Sequence, residues 1–184
     1  MASDISFDLA HKIKKIKLIL MDVDGVMTDG SLIFGSRSEE LKQFNIQDGL
    51  GITMARMTGL KVGLITGRKS ELVSRRAKEL KMDIVVQDCF YKLPAYTEIL
   101  RSYGLSDEEV CFIGDDLLDF DVMERAGLSV SPANGRPEIK AVADIITLEK
   151  GGHGAVRKVI DTIIKVQGKW GSVLHQCRWQ EEDR

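Results

Sequence analysis

Cysteine is scarce in this chain, and the three present, Cys89, Cys111 and Cys177, lie far apart. No Cys-x-x-Cys occurs, so the usual spacing of a zinc site is missing, and an odd, dispersed set makes no disulfide framework. Reduced thiols in an intracellular protein are the expectation. Aromatic residues amount to 6%, are not interleaved with basic ones, and accompany a net charge of -2. That balance gives no nucleic-acid footprint. The one basic cluster, Lys12, Lys14, Lys15 and Lys17, reads as a solvated helix end rather than a membrane or phosphate-backbone patch. No apolar run reaches the length of a bilayer span, and no signal-peptide core stands at the N-terminus. Internal repeats and low-complexity segments are also missing. What is present is 184 residues, 43% of them hydrophobic, enough for one α/β domain that buries roughly 70% of its unfolded surface.

Apolar runs alternate with helical patterns along the chain. Ile5, Leu9 and Ile13 have helical spacing over residues 3–14. Short apolar runs at 18–21, 61–65, 84–86, 110–113, 128–130 and 145–146 read as strands. Between them, helices are expected at 48–58, 69–81, 92–103, 118–126, 136–143 and 155–167. Residues 31–34 and 40–45 flank Gly35-Ser36-Arg37-Ser38, a β-hairpin pattern at about 31–45. A lone hairpin is marginal in water, so this one must pack on its own domain or on other copies. The alternation predicts a doubly wound, mainly parallel, Rossmann-like sheet over residues 1–168. Residues 169–184 carry Trp170 and Trp179 without a clean period and read as a tail.

Four of the connections that leave the sheet carry polar chemistry. Leu18–Met21 runs into Asp22 and Asp24, and 61–65 into Thr66-Gly67-Arg68. Lys92 starts the helix after the third strand, and 110–113 runs into Gly114-Asp115-Asp116 with Asp119 beyond. In open parallel sheets, ligands bind beyond the carboxyl ends of the strands. Two carboxylates held close together are costly unless a cation relieves them, and Mg²⁺ is the usual cation of hard oxygen clusters that also handle phosphate. Each feature has a plain alternative: a solvated acidic turn, an N-capping Thr66, an exposed Lys92, or acids stabilising a helix N-terminus. All four arising by chance in this order is improbable.

On these residues the chain resembles the haloacid-dehalogenase-like superfamily of aspartate-nucleophile phosphohydrolases. The resemblance implies catalytic roles for Asp22, Asp24, Thr66 and Lys92. Asp22 is expected to be the nucleophile, and Asp24 the general acid and then base. Thr66 would hold the phosphoryl oxygens, and Lys92 would offset charge on Asp22. It further implies Mg²⁺ held by Asp22, Asp115 and the Asp24 carbonyl, with Asp116 and Asp119 nearby or behind these ligands. The stretches between these motifs leave no room for the separate cap domain that many members carry.

Asp22-Val23-Asp24-Gly25-Val26-Met27-Thr28-Asp29-Gly30, Phe44-Asn45-Ile46-Gln47-Asp48-Gly49, Thr66-Gly67-Arg68, Gly114-Asp115-Asp116 and Gly151-Gly152-His153-Gly154-Ala155-Val156-Arg157 narrow the likeness. Together they resemble the 3-deoxy-D-manno-octulosonate 8-phosphate phosphatases of bacterial lipopolysaccharide synthesis. That family implies a cytoplasmic homotetramer whose hairpins assemble around a four-fold axis, a neighbouring subunit closing each site. It implies a sugar-acid substrate met by Gly67, Arg68 and Arg157; an arginine fork suits a carboxylate. Phosphatases of nine-carbon sugar acids are the nearest alternative, but they carry glutamate where Arg68 stands. The chain departs from the family in having Gln47 and His153 where arginine is usual, and Asp88 where glycine is usual. Two readings from other classes fit the motifs less well. A receiver-like phospho-aspartate domain places its acid pair, Thr and Lys in a different order, and a non-catalytic oligomerising module has no reason to keep all four motifs.

Overall fold

The computed structural model describes residues 6–36 and 39–178. Ile5, the Arg37–Ser38 hairpin tip and Trp179 lie outside these residues, as does the remainder of the chain to Arg184. Eight helices and eight strands alternate among the described residues. Six strands form one parallel sheet: β1 (Leu18–Met21), β4 (Lys61–Ile65), β5 (Ile84–Val86), β6 (Val110–Ile113), β7 (Leu128–Ser131) and β8 (Ile145–Ile146). Their order is β5-β4-β1-β6-β7-β8, so β1 lies between β4 and β6, in register with Lys61–Leu64 on one side and Val110–Ile113 on the other. The winding reverses at β1, which opens a crevice at the carboxyl ends of β1 and β6.

β1 is apolar at every position because both of its faces are covered, as parallel strands require. Alternate side chains go to opposite faces. Ile19 and Met21 join a core with α1 (Phe7–Lys15), α2 (Ile46–Met57), α3 (Glu71–Glu79) and α7 (Ala155–Val166). Leu18 and Leu20 join a second core with α4 (Lys92–Tyr103), α5 (Phe120–Arg125) and α6 (Pro137–Val142). All four side chains of the strand are fully buried. At roughly 1.5–3 kcal/mol for each buried aliphatic side chain, this strand anchors both layers.

Several boundaries differ from expectation for local reasons. α1 starts at Phe7 because the Ser6 hydroxyl accepts from Leu9 N at 3.2 Å, an N-cap that begins the helix later than its apolar spacing suggests. α2 starts at Ile46, two residues before the expected Asp48, because the Asn45 side chain accepts from Gln47 N and Asp48 N. The helix expected at 118–126 begins as a 3-10 turn, Leu117–Asp119, before α5 takes over. After Gly168, in the stretch expected to be a tail, Trp170–Cys177 forms α8 with Val173 buried. Lys165 lies over the Trp170 ring at 4.4 Å, a cation–π contact that ties α8 to α7.

The hairpin forms a separate sheet of β2 (Ile33–Phe34) and β3 (Glu40–Leu41), with Ile33 opposite Leu41 and Phe34 opposite Glu40. Its apolar side chains Leu32, Ile33, Phe34 and Leu41 are exposed in the single chain. No second domain stands over the sheet among the described residues.

Candidate active site

Asp22 continues β1, its backbone N–H donating to Ile113 O at 2.9 Å, which fixes its carboxylate at the junction of β1 and β6. Lys92, the first residue of α4, is buried and reaches across to it, its ammonium 2.8 Å from Asp22 and 2.5 Å from Asp119. Asp119 uses both of its oxygens: Oδ1 accepts from Lys92, while Oδ2 accepts from Asp115 N at 3.0 Å and Asp116 N at 3.4 Å. Asp119 therefore shapes the loop that carries Asp115 and orients the lysine. The exposed Asp116 side chain turns outward to accept from Leu117 N at 2.7 Å, capping the 3-10 turn.

Carboxylate oxygens of Asp22, Asp115 and Asp119 lie within 4.8 Å of one another. Burial and the neighbouring Asp119 push the Asp22 carboxyl up to about 6, against the opposing pull of Lys92. Burial, then Asp22, Asp119 and Asp116, push Asp115 further, to about 8. Burial alone would lower the pKa of Lys92, yet the two carboxylates outweigh it and hold the pKa above its ordinary value. Asp115 Oδ1 is buried without a hydrogen-bond partner. Excess buried negative charge, an unpaired carboxylate oxygen and an all-oxygen donor set fit a hard divalent cation.

Gly25 has φ +100°, and a Cβ there would meet Asp115 Oδ2 at 2.1 Å; only glycine lets the β1 turn approach that carboxylate. The loop after β8 presses on the same turn. A Cβ at Gly151 would stand 1.8 Å from Gly25 O, and Asn134 clamps the two segments, donating to Gly25 O at 2.9 Å and accepting from Gly151 N at 2.6 Å. The Asn45–Gly49 motif serves this loop as well. Asn45 Nδ2 donates to Gly152 O at 3.3 Å, and the buried Asp48 carboxylate accepts from Gly154 N at 3.3 Å and Arg157 N at 2.7 Å. Two peptide N–H groups at the start of α7 thus find a carboxylate supplied by α2.

Thr66, buried at the end of β4, receives a bond from Arg68 N at 3.5 Å on its hydroxyl. Gly67 follows it, and Arg68 lies 3.6 Å from Glu40 of the hairpin. Arg157 is not gathered into this centre. Its guanidinium pairs with Asp161 at 2.7 Å, one turn further along α7. Of the departures, Asp88 has φ +57°, the left-handed region where glycine is free and aspartate is among the few tolerated side chains. Gln47 and His153 are both exposed, and Gln47 Oε1 is 4.0 Å from where a Cβ on Gly154 would stand.

Sequence reasoning missed two contributors. Lys42, just past β3, has a side chain only 1% exposed and hydrogen-bonds the Asp24 carboxylate. Its place in Glu40-Leu41-Lys42, an alternation with one face turned to the protein, was the available signal. Asn134 had none, because its two partners are distant in sequence.

Residues 85–160 match the model of haloacid dehalogenase-like hydrolases. The 3-deoxy-D-manno-octulosonate 8-phosphate phosphatase KdsC of Escherichia coli strain K12 is 42% identical over 165 residues, covering 90% of this chain and 88% of the relative. The Moraxella catarrhalis 3-deoxy-D-manno-octulosonate 8-phosphate phosphatase, solved in complex with magnesium ion, phosphate ion and KDO, superposes with a TM-score of 0.89. It is 39% identical, covering 92% of this chain and 97% of that one. The cobalt-bound Haemophilus influenzae enzyme superposes with a TM-score of 0.83 at 33% identity, covering 86% of this chain and 92% of that one. With such identity over nine-tenths of its length, the chain belongs to the 3-deoxy-D-manno-octulosonate 8-phosphate phosphatase family of haloacid-dehalogenase-like hydrolases.

Proposed function

We propose that this protein is a Mg²⁺-dependent phosphatase that releases phosphate from 3-deoxy-D-manno-octulosonate 8-phosphate, in the bacterial cytoplasm, on the route to lipopolysaccharide. The observation that carries this reading is the convergence of Asp22, Lys92, Asp115 and Asp119 at the carboxyl ends of β1 and β6, in a chain of that family. Asp22 is the nucleophile: its carboxylate attacks phosphorus in line with the ester oxygen, forming an aspartyl-phosphate as that bond breaks. Asp24, two residues on, gives its proton to the departing sugar oxygen, then takes one from the water that cleaves the acyl-phosphate. Lys92, dry and already paired with Asp22, keeps positive charge beside the reacting carboxylate throughout. The Thr66 hydroxyl donates to a phosphoryl oxygen, and the Gly67 amide extends that cradle. Asp22, Asp115 and the Asp24 carbonyl are the assigned Mg²⁺ ligands, with Asp119 holding Asp115 and Lys92 in place and Asp116 capping the turn. When bound, the ion would offset charge on the phosphoryl oxygens.

Substrate choice is assigned to Arg68 beside Thr66, whose fork matches the sugar-acid carboxylate. Arg157 pairs with Asp161 along α7, and that pairing does not support a role for it in the same chain's site. The exposed apolar hairpin supports a homotetramer in which a neighbouring copy covers Leu32, Ile33, Phe34 and Leu41 and closes the site. No helix among the described residues is long and apolar enough to cross a membrane, and the net charge of -2 offers nucleic acid no footprint.

Phosphate release with Mg²⁺ from the eight-carbon and nine-carbon sugar acid phosphates tests the reading. Faster turnover of the eight-carbon ester is expected. Preference for the nine-carbon ester would overturn the substrate, and a stable phosphorylated Asp22 with no turnover would replace the enzyme by a receiver-like domain.

A further inference from the structure

We propose that Lys42 is a positioning residue for the acid/base step, holding Asp24 through a chain of ions that the hairpin contributes. This rests on the phosphatase reading above, and on the assignment of Asp24 within it. Lys42 arrives from the strand β3 side, 18 residues after Asp24, and bonds the Asp24 carboxylate while its own side chain is 1% exposed. A lysine needed only to tether the hairpin could pair within it, since Glu40 is 3.5 Å away. Instead the ammonium is turned inward, and the closer carboxylate is Asp24. Among the described residues the Thr28 hydroxyl also reaches that carboxylate, at a long 3.5 Å. Without Lys42, Asp24 would keep little to fix its direction, and an acid must point at the oxygen it protonates.

Glu40 joins this arrangement to the substrate end. Its Oε1 lies between Lys42 at 3.5 Å and Arg68 at 3.6 Å, buried, at ion-pair distance from both and hydrogen-bonded to neither. A buried carboxylate oxygen without a hydrogen bond is expensive unless charge compensates it, and here two cations do so. The sequence Arg68, Glu40, Lys42, Asp24 therefore runs from the proposed carboxylate-binding arginine to the acid/base as alternating charges. Two of its four members sit on a hairpin whose apolar side chains are exposed in the single chain. The seating of that hairpin thus sets where Asp24 points.

The test compares Lys42→Met, Lys42→Arg and Glu40→Gln with the full-length wild type, using two esters. In 3-deoxy-D-manno-octulosonate 8-phosphate the departing oxygen needs a proton; in p-nitrophenyl phosphate the nitrophenolate leaves without one. Release of the leaving group is followed in the first turnover by rapid quench, alongside steady-state kcat and KM. For Lys42→Met the sugar ester is expected to slow by about 10²-fold in kcat with KM within about threefold. First-turnover release of p-nitrophenol should change by less than about threefold. Lys42→Arg should recover most of the loss, and Glu40→Gln, useful if Lys42→Met folds poorly, should show the same selectivity at smaller size. Equal slowing of both esters, or no slowing of either, would overturn the proposal, since a merely structural lysine does not discriminate leaving groups. If the wild type hydrolyses p-nitrophenyl phosphate but not the sugar ester, the substrate assignment fails instead, and a simple alkyl phosphate takes its place in the same comparison. Wild type inert toward every ester would overturn both.

Discussion

Lys92 and Asp119 meet in a hydrogen bond of 2.5 Å, with side chains 2% and 1% exposed, although 27 residues and two strand ends separate them. The bond links the start of α4 to the loop after β6 across the carboxyl edge of the sheet. It also governs Asp115, because the other oxygen of Asp119 holds the Asp115 amide. Asp119→Asn keeps the shape but removes the charge. We expect Mg²⁺ affinity to fall by roughly 10–100-fold, as when support behind a metal ligand is lost, with kcat falling too. Breaking a buried pair of this kind should also cost about 3 kcal/mol of stability. Calorimetric titration with Mg²⁺ and denaturant unfolding check the two parts.

The acidic centre should make the metal-free protein less stable as pH rises. Asp22 and Asp115 have folded-state values of about 6 and about 8, raised first by burial, against an ordinary 3.8. Between these limits the folded chain binds more protons than the unfolded one, so their stabilising contribution is complete below pH 4 and lost by about pH 8. Melting of the chelated protein should therefore occur several degrees lower at pH 8 than at pH 5.5. Added Mg²⁺ should raise the melting temperature more at pH 8, where its ligands are ionised. Asp115→Asn should flatten the pH dependence; a slope unchanged in that variant would contradict the assignment.

Two glycine substitutions should act in opposite directions. Gly151→Ala places a methyl group 1.8 Å from Gly25 O, a backbone atom that cannot rotate away. It should destabilise by about 1–3 kcal/mol and slow turnover, because the displaced turn carries Asp24 and faces Asp115. Gly171→Ala, in α8 with nothing within 4 Å of the new methyl, should instead stabilise by about 0.5–1 kcal/mol. Thermal melts of the pair, with activity measured alongside, check both.

The exposed side chains of the hairpin should decide assembly. Phe34→Lys combined with Leu41→Glu puts charge on two apolar positions that are exposed in the single chain. Light scattering should show dissociation below the wild-type mass, and sugar-ester turnover should fall with it by at least about tenfold. An intact assembly with full activity would place the interface elsewhere.

Much of this was legible in the sequence, for identifiable reasons. β1, β4, β5 and β6 are bounded by abrupt changes from apolar to polar residues, so their limits coincide with the apolar runs. The alternation of strands and helices predicted a doubly wound, mainly parallel sheet, and the six parallel strands in the order β5-β4-β1-β6-β7-β8 bear it out. What escaped depends on contacts between distant residues. Lys42 is one charged residue among several until the hairpin folds its side chain onto Asp24. Asn134 is an ordinary loop polar residue until Gly25 and Gly151 are brought together around it. α8 contains Gly171 and Ser172, poor helix formers, and owes its order to Val173 and Trp170 packing on the domain. Asp119 reads as one more acid near a helix start, and only the β6 loop reveals that both its oxygens are engaged.

The most direct test of the account locates the phosphoryl group. Asp24→Asn should remove the base that activates water while leaving Asp22 able to attack an ester with a good leaving group. Incubated with Mg²⁺ and p-nitrophenyl phosphate, quenched in acid and digested, this variant should carry one phosphoryl group on the peptide containing Asp22, and Asp22→Asn should carry none. Phosphoryl transfer to another residue, or full turnover by Asp22→Asn, would contradict the central claim.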